Sequence, residues 1–139
     1  MTVPPVEIWL QRARSNLAIA RTGQQEHVLL EDLCFEAQQA AEKALKALLI
    51  HLSDEYPRTH AFTLLLTRLE NHQEVPPSIR EVVELSDYAV QMRYPGDYYP
   101  VSNEEYERAL ELAARVLAWV TAQIEQQESS QEPDNTPNT

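Results

Sequence analysis

The sequence predicts an all-α protein, an up-down bundle of about five helices with no sheet. Three observations predict it. The helix-breaking residues are confined to a few places, with 2 glycines at 23 and 96 and 9 prolines at 4, 5, 57, 76, 77, 95, 100, 133 and 137. Between those marks the chain is rich in Ala, Leu, Glu and Gln, the stronger helix formers. Apolar residues recur there every three or four positions, the period of a helix with one buried face. A length of 139 residues fits one domain with one core.

The first helix is expected from Val6 to Thr22, with Val6, Leu10, Ala13, Leu17 and Ala20 as its stripe and Gly23 as its stop. The second runs from Leu30 to Ser53. Leu30, Leu33, Ala37, Ala41, Ala44, Leu48 and Leu52 define its buried face, and Gln38, Gln39, Glu42, Lys43 and Lys46 fall largely outside it. Ala37, Ala40, Ala41, Ala44 and Ala47 are small enough for a neighbour to approach closely. The third follows Pro57, with Thr59 as N-cap and Leu65, Leu66 and Leu69 inward. The fourth opens at Ser78 with Glu81 three residues on, the spacing of a capping box, followed by Ile79, Val82, Val83, Ser86, Ala89 and Val90. The fifth opens near Ser102–Asn103, with Glu104 and Glu105 where the helix dipole favours acids. Its core stripe is Tyr106, Ala109, Leu110, Ala113, Val116, Leu117, Val120 and Ile124. The domain is expected to span 1–127, and 128–139, polar and acidic, to be a disordered tail.

The net charge of −11 counts against coating nucleic acid through bulk charge. Residues 125–139 carry four acids and no base, so the rest of the chain is itself acidic. A local cationic pocket stays open. The lone Cys34 excludes an internal disulfide and a multi-cysteine metal site. No pair of the 4 histidines stands at i,i+4, so no metal is expected. No apolar run reaches membrane-spanning length, and no signal peptide is recognised, so a cytoplasmic location is expected.

Residues 87–100 are the unusual stretch. They hold Tyr88, Tyr94, Tyr98 and Tyr99 around Arg93, beside the turn signal Pro95-Gly96. An arginine framed by aromatics can grip a phosphate bidentately while a ring stacks on a base. The alternative is a loop whose tyrosines cover the bundle end and whose Arg93 pairs with Asp87 or Asp97.

Three marks in order resemble one family. The stretch Cys34-Phe35-Glu36-Ala37-Gln38-Gln39-Ala40-Ala41-Glu42-Lys43-Ala44-Leu45-Lys46-Ala47-Leu48-Leu49 is similar to the second-helix signature of HEPN domains, the higher-eukaryote and prokaryote nucleotide-binding domains. Thr59-His60 resembles the Thr-His that opens the next helix, and Arg93-Tyr94-Pro95-Gly96-Asp97 resembles the Arg-Tyr-Pro stretch before the last one. The likeness covers residues 6–124. It implies a helical bundle that forms a homodimer and binds nucleotide or RNA. It also implies a nucleotidyltransferase-fold partner in a toxin–antitoxin-type pair. On it, Arg93, Tyr94 and His60 are the expected nucleotide- or RNA-binding residues, and Tyr98 and Tyr99 are candidates for modification by the partner. Lys43 joins the binding residues because Lys43 and Lys46 are the chain's two lysines and can share a cationic pocket with Arg93. The alternative is a solvated helix face with Glu42 and Lys46 paired at i,i+4.

The family's ribonuclease branch uses Arg, four to six residues, then His, to cleave RNA without metal. Here Tyr98, Tyr99 and Pro100 stand where that His would fall, so the sequence leans away from an enzyme. Arg21 and His27 match the spacing elsewhere, but about one such match is expected by chance. A divergent ribonuclease and a non-catalytic dimeric bundle, held through Ile8, Trp9 and Phe35, are the competing readings. No cofactor is expected.

Overall fold

Five α-helices and one 3₁₀ stretch make up the computed structural model, which describes residues 5–55, 58–59, 61–88 and 100–131. No strand occurs among the described residues. The helices are α1 (Pro5–Ala20), α2 (Leu30–His51), α3 (Phe62–Glu70), α4 (Pro77–Arg80) and α5 (Asn103–Gln131). α4 continues as a 3₁₀-helix over Glu81–Tyr88.

α2 is the centre. Its Ala37, Ala40, Ala41, Ala44 and Ala47 are fully buried, because a methyl side chain lets two helix backbones close in on it. α1 and α5 pack on α2 from two sides, and α3 and the 3₁₀ stretch cover the rest. Leu45, Leu48, Leu49, Phe62, Leu65 and Leu112 are fully buried, each contributing about 1.5–3 kcal/mol by leaving water. α5 runs antiparallel to α1. At one end the Tyr106 hydroxyl donates to the Ala20 carbonyl and so satisfies a backbone group at the end of α1. At the other, Ile124 and Glu128 lie beside Val6 and Leu10.

Gly23 ends the first helix as expected, at φ 78°, a conformation that favours glycine. Other helix ends differ from expectation. Thr59 is not the N-cap of α3; that position is Ala61, and the Thr59 hydroxyl accepts the Ala61 N–H at 3.0 Å one step upstream. Ser78 and Glu81 make no capping box. Pro77 already occupies the first helical turn, Pro76 is the cap residue, and no side chain caps it. Glu81 turns instead to Arg115. The reciprocal pattern occurs at Ser102: its hydroxyl accepts the Glu105 N–H at 3.1 Å, and Glu105 accepts the Ser102 N–H at 3.4 Å.

The fourth helix is 3₁₀ over most of its length because its buried residues, Ile79, Val82 and Leu85, stand three apart with Tyr88 next in the series. Residues three apart eclipse in a 3₁₀-helix. Val83, expected inside, is exposed. At the far end α5 carries the chain through Gln131, so residues 128–131 of the expected tail are helical. A helix already nucleated on the core extends at little cost through Glu and Gln.

After α2, Ser53 takes φ 61° and Asp54 closes the turn, accepting from His72 Nε2 at 2.7 Å and ion-paired to Arg68 Nε at 3.3 Å, while that Nε–H donates to the Glu55 carbonyl. The His72 hydrogen bond, then the Arg68 charge, hold the Asp54 carboxyl below its ordinary value. Its contribution is therefore full above the usual carboxylate range and lost as pH falls through the lowered value. Asp54→Asn is expected to lower the thermal midpoint at pH 7, with the gap to wild type closing in acid; thermal scans across pH measure this. Ser102→Ala is expected to cost about 1 kcal/mol in urea unfolding, whereas Ser78→Ala stays within about 0.5 kcal/mol.

Candidate functional site

Along its middle α2 keeps only the half-buried Gln39 and Lys43 toward solvent, and three polar side chains are buried there. Gln38 Nε2 donates to Glu42 Oε1 at 3.2 Å, and Lys46 Nζ donates to Glu42 Oε2 at 3.0 Å. The Glu42 and Lys46 side chains are only 3% and 8% exposed. Successive i,i+4 positions thus form one hydrogen-bonded row, extended by Gln39 Nε2 donating to Gln38 Oε1 at 2.7 Å. Lys46 Nζ also lies 5.7 Å from the centroid of the Trp9 ring on α1, within cation–π range. Sequence reasoning puts Glu42 and Lys46 on a solvated face. The correction follows from packing: with helices on both sides, an i,i+4 ion pair on α2 is enclosed.

Beside this row, at the α1–α2 seam, stands Lys43. Its Nζ donates to Asn16 Oδ1 at 2.7 Å, and Asn16 Nδ2 donates to Glu36 Oε2 at 2.5 Å. Burial pushes the Lys43 ammonium down from its ordinary value; Glu36 opposes that shift, and Arg12 and Lys46 add to it. Lys43 therefore stands in a mixed group of charges, Arg12 and Lys46 against Glu36 and Glu42, with Lys46 already ion-paired to Glu42.

The cleft beside Tyr88 has the opposite character. It measures about 410 Å³ between the 3₁₀ stretch and α5, with Leu85, Ala109 and Leu112 as apolar lining. Glu84, Asp87, Glu104 and Glu105 ring it, and Arg108 is held by Glu84 at 2.9 Å. Burial, then the charges around Cys34 and Glu105, push the Tyr88 phenol up to about 12, so its hydroxyl stays protonated and donates to Glu105 at 3.4 Å. A phosphate in this cleft would meet four carboxylates. It would be repelled.

The HEPN domain profile matches residues 6–126. The chain belongs to the HEPN domain family. Among solved structures, the HEPN bundle here is similar to TT1696 from Thermus thermophilus, at 32% identity and TM-score 0.75 over 86% of this chain and 98% of that one. It is also similar to ST0689, an archaeal HEPN homologue, at 30% identity and TM-score 0.68 over 88% of this chain and 99% of that one. No functionally curated protein matches.

Of the expected HEPN site residues, Lys43 is the one the structure describes. Arg93, Tyr94, Tyr98, Tyr99 and His60 lie outside the described residues. Sequence reasoning misses Asn16, Glu36 and Arg12 around Lys43; a polar Asn16 flanking the Ala13–Leu17 stripe is the one available signal. Trp9 packs partly buried against the core, while Ile8 stays exposed. His27, of the coincidental Arg21–His27 spacing, is exposed beside Glu26. No group of three His, Cys, Asp or Glu side chains suited to a metal ion occurs among the described residues, and none of their helices is long and apolar enough to cross a membrane.

Removing one partner of the enclosed pair strands the other charge. Lys46→Met is expected to cost about 3–5 kcal/mol, and the double variant Glu42→Gln/Lys46→Met to cost clearly less than the sum of the two singles. Urea unfolding of the four proteins measures the coupling.

Proposed function

We propose that this HEPN protein is a nucleotide- or RNA-binding module that acts beside a nucleotidyltransferase-fold partner, as in a toxin–antitoxin pair. The observation that carries the reading is Lys43 at the α1–α2 seam, half-buried and hydrogen-bonded to a neutral amide, in a protein whose cleft between the 3₁₀ stretch and α5 is ringed by acids. Arg93 supplies the bidentate phosphate grip, Tyr94 the stacking ring, and Lys43 and His60 the flanking contacts. The support for Arg93 and Tyr94 is the Arg-Tyr-Pro-Gly-Asp sequence at 93–97. Tyr98 and Tyr99 are the residues a nucleotidyltransferase would modify.

The chain acts without cleaving RNA, on the ground that no histidine follows Arg93 at ribonuclease spacing. It works in the cytoplasm as a homodimer. Support for self-association is the pair Ile8 and Ile19, both exposed and about three helical turns apart on one face of α1.

Titration of the purified protein with ATP and with short single-stranded RNA tests the reading. Binding is expected, weakened about tenfold or more by Arg93→Ala, the usual loss for a charge-assisted phosphate contact. Affinities unchanged by that substitution would contradict the assignment of Arg93.

A further inference from the structure

The chain has two lysines, and the structure gives them opposite chemistry. Lys46 is enclosed, ion-paired to Glu42 at 3.0 Å and covered by Trp9. An amine so held is shielded from any reagent. Lys43, one turn earlier, is only half-buried. It has no ion pair within salt-bridge distance among the described residues; its hydrogen bond goes to the neutral Asn16 amide oxygen at 2.7 Å.

The orientation of that amide is fixed. Asn16 Nδ2 points at the Glu36 carboxylate, which can only accept, so Oδ1 has to face Lys43. A neutral Lys43 amine keeps one N–H on Oδ1 and has its lone pair free. Burial favours that neutral form, with Arg12 and Lys46 adding to it and Glu36 and Glu42 opposing it. A neutral, oriented, reachable amine is a nucleophile.

We propose that Lys43 is an acylation site, modified by small activated acyl donors such as acyl phosphates, and that acylation switches off the phosphate contact at this seam. The lone pair on Nζ attacks the acyl carbon. The carbon–oxygen bond to phosphate breaks, inorganic phosphate leaves with that electron pair, and the proton shed by nitrogen passes to solvent base. The product is a neutral amide. It can still donate to Asn16 Oδ1 but has no charge for an anion. The second half of the proposal rests on the phosphate-binding reading above; the first half does not.

The test uses the intact folded chain treated with acetyl phosphate, with peptide mass spectrometry following each lysine over time. Lys43 is expected to be acetylated at least about tenfold faster than Lys46, with the difference collapsing in urea, where both lysines are equally open. Equal rates in the folded chain, or no acetylation at Lys43, would overturn the site. The acetylated and untreated proteins are then titrated with short RNA. Loss of affinity by about tenfold supports the switch, and equal affinity of the two overturns it. Failure of the untreated protein to bind RNA or ATP would instead refute the phosphate-binding reading, and the switch with it, while the labelling rates alone still decide the acylation site.

Discussion

The structure depends on α2 being surrounded. Five alanines with no exposed surface let α1 and α5 both close on it, and α3 with the 3₁₀ stretch occupy what remains. A helix in that position keeps only a narrow strip toward solvent along its middle, at Gln39 and Lys43. Every polar residue there must find a protein partner or carry an uncompensated desolvation cost. Gln38, Glu42 and Lys46 resolve this by bonding to one another along the helix at successive i,i+4 steps. The alanine spine and the buried polar row are two consequences of one packing arrangement.

The same constraint shapes the surface chemistry. Lys43 lies one position round from the buried row and emerges at the α1–α2 seam, where Asn16 and Glu36 meet it. The remaining cations are mostly committed. Arg108 and Arg115 are taken up by Glu81, Glu84 and Glu111, and Arg68 by Asp54. Such exposed pairs add little stability individually. Their effect is to leave few cations for an anionic ligand and to concentrate negative charge around the cleft between the 3₁₀ stretch and α5. Binding by bulk attraction is disfavoured in so acidic a chain, and the proposed reading places a phosphate instead at the seam and at Arg93.

Much of the fold is legible in the sequence. The three- and four-residue spacing places the helices, and Gly23 marks a true stop. What misleads is local reasoning about features decided by neighbours. Ser78 and Ser102 both precede a glutamate by three residues, and only Ser102 forms the box, because Pro76-Pro77 sets the start of α4 one residue earlier. The three-residue period of Ile79, Val82 and Leu85 is present in the sequence, yet assuming an α-helix puts Val83 inside. Glu42 and Lys46 look like a surface pair in one dimension; their burial depends on what α1 and α5 do. At the site, Lys43 is legible by its rarity, whereas Asn16, Glu36 and Arg12 join it only through the pairing of two helices. The expected roles of Arg93, Tyr94, Tyr98, Tyr99 and His60 rest on sequence resemblance.

On the proposed function, ligand binding in a chain of net charge −11 runs through a small local group of cations. The salt dependence of binding to short single-stranded RNA tests this most directly. Each phosphate neutralised adds about −0.7 to the slope of log affinity against log salt. Contacts from Arg93 and Lys43 alone predict a slope of about −1 to −2. A slope near about −5 would mean a broad electrostatic surface and would contradict binding through that local group.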